Sequence, residues 1–476
     1  MRPLDGWLSR ARDHVLNVVM LLQRHSQHMP AWLRRIATAV RRRYVSLATT
    51  PGIPDWTIDL RGRPQLDWPA DPAPKSSTTA VLNGQASNAS TDHCVLMAQD
   101  LDVGGLAEVV LALAESLPQL GFRVSVVVPT SRSVGSLGQV SASLEARGVA
   151  VSVCDEAALT AHLRALDADV IYMHGAPDWA RRMAVDGRAP VVETLHGAHD
   201  LFGERAETVA ARFNGVARVV AVSETVRQQF RALCPSYPES RTVTVPNAAH
   251  TPHDLDIMSA RKCMRQRLGI SDDFLFLSLS RFCLQKNPYG LVSAFNNTRS
   301  HGRLLIAGRV DDGFYAEQVR RLAQASPSGR VHLRSNCQFP WQLLAAADAF
   351  VLDSFFEGWA LASMQALTLG VPVILSDVGG AREQLTIGTE VGTLVANPLG
   401  DPLLADWDRI RASRFIPQVN SAELTGAMNS MISQAELWAT CREAIRAAAI
   451  AAFSPTRWLG NQVDVLSSAM DEKSVA

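Results

Sequence analysis

Short runs of β-branched and apolar residues alternate with amphipathic segments along most of the chain, from about residue 93 onward. Residues 94–98 predict a buried strand, residues 106–120 a helix with apolar side chains on one face, and residues 124–128 a second strand. This order predicts a βαβ unit with parallel strands. Further buried strands of the same kind are expected at residues 170–173, 191–195, 219–222 and 243–245.

A second alternating series follows a polar stretch near residues 248–258. Its predicted strands are residues 274–280, 303–307, 331–333, 349–352 and 372–376. The pattern therefore predicts an α/β protein with two doubly wound, Rossmann-like domains, at residues 93–252 and 253–452, that face a central cleft. Ligands of such folds bind outside the carboxyl ends of the strands, so the residues directly after each strand are the candidates for function.

The first 92 residues follow a different pattern. Between residues 1 and 44 nine arginines face two aspartates, and apolar residues recur at helical spacing, which predicts a basic amphipathic helical extension over residues 1–48. Its apolar runs are too short to span a bilayer. Two interpretations stay open: contact of residues 1–45 with an anionic membrane surface, or a helix packed on the protein's own body. Residues 49–92 are rich in Pro, Ser and Asp and predict a linker.

Composition narrows the choice of partners. The 476 residues contain 46 lysines and arginines and 46 aspartates and glutamates, so no overall positive field favours nucleic acid. Seven cysteines are scattered without the spacing of a zinc site, which is typical of reduced thiols in a cytoplasmic protein. We therefore expect a cytoplasmic location, no nucleic-acid partner and no bound metal.

Two cations follow the first strand of the second domain. Arg281 and Lys286 lie around a turn that leads into a predicted helix, and an arginine fork, a lysine ammonium and helix-end N–H groups together suit a diphosphate. No carboxylate stands close to them in the sequence, so we expect both charges to be free for a ligand. A pair of ordinary surface cations is the alternative.

A carboxylate precedes another helix of this domain. Glu357 follows the strand at residues 349–352, and the next amides, those of Ala360, Leu361 and Ala362, are expected to face an anionic ligand while Glu357 accepts a sugar hydroxyl. Gln365 lies one turn after Leu361 and offers further hydrogen bonds. Glu357 at the start of a helix is also explained by the helix dipole alone.

The first domain contributes fewer candidates. Gly104 and Gly105 close the first strand-to-helix turn, where a ligand can approach the backbone. His196 follows the strand at residues 191–195 and points toward the expected cleft. A turn that needs glycine and a structural histidine are the alternatives.

In combination these segments resemble family 4 of the retaining GT-B glycosyltransferases over roughly residues 93–470. The most specific stretch is residues 349–383, with Glu357-Gly358, Gln365-Ala366-Leu367, Gly370-Val371-Pro372 and Gly379-Gly380 in the family's order and spacing. Supporting matches are Gly104-Gly105, Thr194-Leu195-His196-Gly197, Val245-Pro246-Asn247, Ser280-Arg281 and Gln285-Lys286-Asn287-Pro288.

The resemblance implies roles for these residues. Gly105 would lie by the diphosphate, His196 by the reacting sugar, and Arg281 and Lys286 on the phosphates, with Glu357 on the donor-sugar hydroxyls. Gly104, Asn247, Ala360, Leu361 and Ala362 would complete the donor site. The family usually has a second glutamate on the nucleotide ribose, and this chain has Gln365 there. Residues 453–470 are expected to form a helix that crosses back onto the first domain.

The activity implied is transfer of a hexose from a nucleotide-diphosphate sugar to a hydroxyl of a glycan or lipid-linked acceptor, with retention at the anomeric carbon. A role in polysaccharide, lipopolysaccharide or glycolipid synthesis is expected, without a cofactor or a metal, and with peripheral contact at the inner face of the cell membrane. Two other functions stay open: a catalytically inactive nucleotide-binding partner subunit, and a nucleotide-sugar epimerase.

Overall fold

A computed structural model describes most of the chain beyond its first fifty residues. The described residues are 53, 54, 56 and 59–63, then 92–130 and 138–475 apart from 100, 102, 103, 250, 253, 254, 271, 300, 327, 328 and 336–338. The predicted helical extension at residues 1–48 lies outside them.

The first domain is built on a seven-stranded parallel sheet with the strand order β3-β2-β1-β4-β5-β6-β7. Its buried strands are the β-branched runs that the sequence pattern predicts, with β3 as an additional, partly exposed strand at one edge. The strands are β1 (Asp92–Ala98), β2 (Phe122–Pro129), β3 (Ala150–Cys154), β4 (Val170–His174), β5 (Val191–Leu195), β6 (Arg218–Ala221) and β7 (Thr242–Thr244).

Helices follow these strands and cover both faces of the sheet. The first of them ends earlier than the sequence pattern predicts, because Pro118 lies in a 3-10 turn at Leu117–Leu120 that Gly121 closes in the left-handed conformation. The helices are α1 (Gly105–Ser116), α2 (Gly138–Ala146), α3 (Glu156–Leu166), α4 (Asp178–Val185), α5 (Ala206–Phe213) and α6 (Glu224–Leu233).

The second domain has a six-stranded parallel sheet with the order β10-β9-β8-β11-β12-β13. Its strands are β8 (Leu275–Leu279), β9 (Arg303–Gly308), β10 (Val331–Ser335), β11 (Ala349–Leu352), β12 (Val373–Ser376) and β13 (Gly392–Val395). Its helices are α7 (Ile257–Arg267), α8 (Pro288–Asn296), α9 (Gly313–Gln324), α10 (Pro340–Ala346), α11 (Leu361–Thr368), α12 (Ala381–Leu385), α13 (Trp407–Ser413), α14 (Ser421–Ser433) and α15 (Ala435–Ala452). Both sheets confirm the predicted α/β fold of two doubly wound domains.

The last helix, α16 (Pro455–Val475), leaves the second domain and packs on the first. Trp458, Leu459 and Leu466 are buried there in the core of the first sheet. The hydroxyl of Tyr172 on β4 donates a hydrogen bond to Gln462 Oε1 at 2.5 Å. The chain therefore crosses between the domains after β7 and again before α16.

Part of the predicted linker is packed rather than loose. Ile53, Trp56 and Leu60 are buried in the core of the second domain, and the amide of Leu60 donates to the carbonyl of Leu268 at 3.1 Å. These apolar residues stand in a short segment among proline and charged residues, and so short a segment does not predict a packed element from its sequence pattern. Within the described part of the chain, no helix combines the length and the apolar character that crossing a membrane requires.

Candidate active site

The carboxyl ends of the two sheets face each other across a narrow cleft. Gly358, after β11, lies against the backbone of His196, after β5, so closely that a side chain at 358 would overlap the carbonyl oxygen of His196. Nearby, Glu383 Oε1 accepts a hydrogen bond of 2.7 Å from the amide of Glu224, at the start of α6. Residues from both domains therefore line one site.

The two cations after β8 are both paired. Arg281 Nη1 lies 2.5 Å from Asp311 Oδ2, and Arg281 Nη2 donates to Gln285 Oε1 at 3.0 Å. Lys286 Nζ lies 2.6 Å from Glu357 Oε1. The expectation that these charges are free is wrong.

Strand order explains both pairs. In the second sheet β8 lies between β9 and β11, and the carboxyl ends of parallel strands meet at one edge. Asp311 follows β9 and Glu357 follows β11, so each carboxylate lies beside a cation of the loop after β8. In the sequence, 30 residues separate Asp311 from Arg281 and 71 residues separate Glu357 from Lys286. The sequence signal for Asp311 is an acid in the loop that follows a strand, three residues after its end.

The loop that carries the cations is held rigidly. Asn287 caps α8 from the left-handed conformation, with φ of 51°, and its Oδ1 accepts from the amide of Gly290 at 3.2 Å. Its Nδ2 donates to Asp353 Oδ2 and to Gln418 Oε1, each at 2.8 Å. These bonds fix the loop after β8 to the loop after β11.

Asp353 is fully enclosed at the centre of this network. Asn420 Nδ2 donates to its Oδ1 at 2.7 Å. Burial raises the pKa of Asp353 to about 7, against the smaller lowering effect of the bonds from Asn420 and Asn287. This carboxyl holds the loop after β11 in position and takes no part in the contacts across the cleft described above.

Glu357 is buried between the two loops. The hydroxyl of Ser354 donates to Glu357 Oε1 at 2.6 Å, and Lys286 shares the same oxygen. Among the described residues no hydrogen bond or ion pair engages Oε2, so this oxygen can accept a bond from a ligand hydroxyl.

Two helix N-termini meet at the cleft. The residues that precede α11 and α1, Ala360 and Gly104, provide no side-chain cap, so first-turn amides such as those of Leu361 and Ala362 lack a capping partner. A Cβ atom on Gly105 would lie 3.1 Å from Leu361 Cδ1. The positive ends of two helix dipoles thus meet at the cleft, and Glu357, the partner of Lys286, lies in the loop that leads into α11, an arrangement that attracts anions.

His196 belongs to a pair of histidines, of which His174 is fully buried and His196 is half-buried. His174 Nδ1 and His196 Nε2 lie 3.0 Å apart. Burial, with a smaller effect of nearby His199, lowers the pKa of His196 to about 4, and burial also lowers the pKa of His174 well below its usual value. Both rings are neutral near pH 7. The sequence pattern missed His174, which is the last residue of β4.

The remaining predicted donor residues, Asn247 and Gln365, come from the two domains. Asn247 is buried just after β7, where the chain leaves the first domain. Gln365 is half-buried on α11 and lines a cavity between the domains, together with Glu108, Val109, Ala248, Met364 and Trp458. No group of three or more His, Cys, Asp or Glu side chains suited to a metal ion occurs among the described residues.

Comparison with known families matches both halves of this site. The model for Glycosyltransferase Family 4 matches residues 103–252, and the model for Glycosyl transferases group 1 matches residues 261–407, together more than half of the chain. The chain belongs to the family 4 glycosyltransferases of the GT-B type. The cation loop, Glu357 and the start of α11 all lie in the second matched region of this glycosyltransferase, and His196 lies in the first.

Individual relatives of this chain are also glycosyltransferases. An uncharacterized glycosyltransferase of Methanocaldococcus jannaschii is 24% identical over 269 residues, which cover 50% of this chain and 67% of the relative. The lipopolysaccharide core biosynthesis mannosyltransferase LpsB of Rhizobium meliloti is 33% identical over 98 residues, 19% of this chain and 27% of LpsB. In both alignments a third or more of the relative remains unmatched.

Solved structures share the fold. The Anabaena protein HepE, crystallised with UDP and glucose, superposes with a TM-score of 0.63 at 19% identity and covers 79% of this chain and all of HepE. At this identity the similarity shows the GT-B fold.

Proposed function

We propose that this glycosyltransferase transfers a hexose from a nucleotide-diphosphate sugar to a hydroxyl of a glycan or lipid-linked acceptor, with retention at the anomeric carbon and without a metal ion. One observation carries the proposal: two uncapped helix N-termini meet at the cleft between the domains, and the loop that leads into one of them holds Glu357, the partner of Lys286. This concentration of N–H donors and cations suits a diphosphate.

The existing ion pairs are compatible with that role. A lysine ammonium has three donors, so Lys286 can keep its bond to Glu357 and still donate to a phosphate oxygen. The Arg281 side chain is 43% exposed, and its guanidinium has donors beyond those that bind Asp311 and Gln285. Negative charge that builds on the departing diphosphate is stabilised by groups already in place, which lowers the barrier.

The hexose would lie between Glu357 and His196. Glu357 Oε2 can accept a bond from a sugar hydroxyl, and the neutral His196 ring can bind a hydroxyl without placing a positive charge beside the cationic transition state. In the reaction the acceptor oxygen bonds to the anomeric carbon, the bond from that carbon to the diphosphate oxygen breaks, and the acceptor proton leaves with the diphosphate. Contacts between the domains such as that of Gly358 with His196 would limit the access of water to this space.

Two relatives support the class of substrate. HepE was crystallised with UDP and glucose, and LpsB is a lipopolysaccharide core mannosyltransferase. By analogy, we propose a donor with a nucleoside diphosphate and a role in cell-surface polysaccharide, lipopolysaccharide or glycolipid synthesis. A cytoplasmic location with peripheral membrane contact through residues 1–45 fits an acceptor held by a lipid and belongs to the same proposal.

The test is incubation of the purified full chain with UDP-, GDP-, ADP- and CDP-sugars, with EDTA present, and with or without a lipid-linked acceptor. We expect nucleoside diphosphate release that depends on the acceptor, and a product whose anomeric configuration by NMR matches that of the donor. An isomerised donor would indicate an epimerase, and binding without turnover an inactive subunit. Either result, or activity that EDTA abolishes, contradicts the proposal as stated.

A further inference from the structure

The end of β4 and the loop after β5 bring two histidines side by side. β4 and β5 are parallel neighbours, and His174 lies opposite Thr194 in their register. Side chains alternate along a strand, so His196, two residues after Thr194, is directed to the same side of the sheet. Nδ1 of His174 and Nε2 of His196 consequently lie 3.0 Å apart, with their ring centroids 5.2 Å apart.

The His174 ring is held in place from behind. It is fully buried, and the ring of Tyr172, two residues earlier on the same face of the sheet, lies against it with the centroids 4.3 Å apart. The Tyr172 hydroxyl accepts from Thr194 Oγ1 at 2.7 Å and donates to Gln462. Within the part of the chain that the structure describes, His196 is the only hydrogen-bond partner of the His174 side chain.

The direction of the hydrogen bond between the histidines follows from the surroundings of His174. Both rings are neutral near pH 7, so one ring donates and the other accepts. If His174 accepted through Nδ1, its hydrogen would lie on Nε2, which is buried and has no partner among the described residues. A buried N–H without an acceptor is rarer in proteins than an acceptor without a donor. Donation from His174 Nδ1 to His196 Nε2 is therefore favoured.

This direction determines what His196 offers to a ligand. A neutral imidazole carries one hydrogen, and since Nε2 of His196 accepts, that hydrogen lies on Nδ1. In the described ranges no group binds Nδ1 of His196, and this atom, unlike Nε2 of His174, is not enclosed. The backbone of His196 lies against Gly358 of the second domain. An N–H donor is thus available where the two domains meet.

We propose that His174 is a positioning residue that fixes His196 as the tautomer with its hydrogen on Nδ1, and so makes His196 a hydrogen-bond donor to an oxygen of the donor hexose. The tautomer is a property of the protein without ligand, whereas the contact with the hexose rests on the proposed function. His174 itself touches no ligand. Because a neighbour already orients the His196 ring, less ordering is required when the sugar binds.

The first measurement is NMR of the full chain with ¹⁵N-labelled histidine rings, without ligand. Proton–nitrogen correlation spectra of the ring distinguish a protonated nitrogen from an unprotonated one, and the signals of His196 are those missing in His196→Asn. We expect its hydrogen on Nδ1. His174→Phe keeps a flat ring but removes the donor, so the hydrogen should move to Nε2, its usual position in a histidine exposed to water.

The second measurement is kcat/KM for nucleoside diphosphate release from UDP-, GDP-, ADP- and CDP-sugars. His174→Phe should lower kcat/KM about tenfold. His174→Asn places an amide N–H where Nδ1 stood and should recover most of this loss, whereas His174→Gln places the same amide near the position of Nε2 and should not. In the His196→Asn background, His174→Phe should lower kcat/KM little further, because losses that act through one contact do not add.

His93→Phe is the matched control, because His93 is another buried histidine of the same sheet, near the start of β1 and away from the cleft. Its Nε2 lies 2.9 Å from Ser125 Oγ, and its Nδ1 lies 2.9 Å from the carbonyl oxygen of Leu166. The control therefore also removes a hydrogen-bonded ring from the core. It should lower Tm but leave the His196 tautomer and kcat/KM unchanged.

Three outcomes would overturn the inference: a hydrogen on Nε2 of His196 in the wild type, an unchanged tautomer in His174→Phe, or fully additive losses in the double variant. If none of the sugars were turned over, the proposed function would fail, and the contact of His196 with the hexose with it. The NMR measurement would still decide whether His174 fixes the tautomer.

Discussion

Lys286 Nζ lies 2.6 Å from Glu357 Oε1, although 71 residues separate the two in the sequence. Their side chains are 17% and 6% exposed, so neither charge is well solvated without the other. The pair holds in fixed positions, before any ligand arrives, the cation that we propose to bind phosphate and the carboxylate that we propose to bind a sugar hydroxyl. Preorganisation of this kind is what stabilisation of a developing charge requires.

Lys286→Ala should therefore affect both catalysis and stability. We expect turnover to fall about a hundredfold or more. The free energy of unfolding should fall by about 2 to 3 kcal/mol, because Glu357 is left buried without its cation. Adding Glu357→Gln should recover stability but not turnover. Lys262→Ala, at an exposed position of α7, is the control. Equal stability of the single and double variants would contradict the pairing.

Asp311→Asn tests the other pair. Asp311 binds Arg281 and also Arg309, whose nitrogen Nε lies 2.8 Å away, so the amide would release positive charge at the cleft. We expect nucleoside diphosphate to bind about two- to tenfold more tightly, with a larger gain at low ionic strength, since these groups are partly exposed. Asp401→Asn, which removes the same charge on another surface, serves as the comparison. Weaker binding by Asp311→Asn would mean that Arg281 needs Asp311 for its position.

The sequence pattern predicts the residues of this site better than their contacts. Runs such as Val191–Leu195 and Ala349–Leu352 are buried on both faces and end in turn residues, so their ends are visible in the sequence. Which strands are neighbours is not visible in periodicity. Asp311 and Glu357 meet the cations of β8 only because β9 and β11 flank it.

Elements with little burial were also missed. β3 and β13 are short edge strands whose residues are mostly half-buried, which weakens the apolar signal. Glu108 shows a different reason: as an acid near a helix start it matches the dipole explanation, and only the contact of α1 with α11 places it in the cleft. The domain interface, which decides these positions, has no periodic pattern of its own.

Asp353→Asn should change how stability depends on pH. The folded pKa of Asp353, about 7, lies above the usual value of 3.8, so its favourable contribution is complete below about pH 4 and is lost as pH rises to 7. Asparagine does not ionise, so the stability of the variant does not fall in this way as the pH rises. Between pH 4 and 7 we expect the free energy of unfolding of the variant to rise relative to that of the wild type, by at most about 4 kcal/mol. A difference that stays constant with pH, measured by urea unfolding, would refute this.

His196 should act as a neutral ring. Because its pKa is about 4, the His196 ring is uncharged between pH 5 and 8. His196→Asn should lower kcat/KM about ten- to a hundredfold by loss of a hydroxyl contact, without changing the shape of the pH profile in that range. His301→Asn, at an exposed position, is the control. Disappearance of a limb near pH 6.5 in the variant would assign an ionising role to His196.

The central claim is that a diphosphate binds between the two helix N-termini and Arg281. Isothermal titration with nucleoside diphosphates and the corresponding monophosphates, in EDTA, measures this directly. The two ligands differ only by the second phosphate, which the site is proposed to hold. We predict that the wild type binds the diphosphate at least about tenfold more tightly, as charge-assisted hydrogen bonds to the second phosphate require, and that Arg281→Ala removes most of this difference. Equal affinity of the wild type for the two ligands, or a preference that Arg281→Ala leaves intact, would contradict the account.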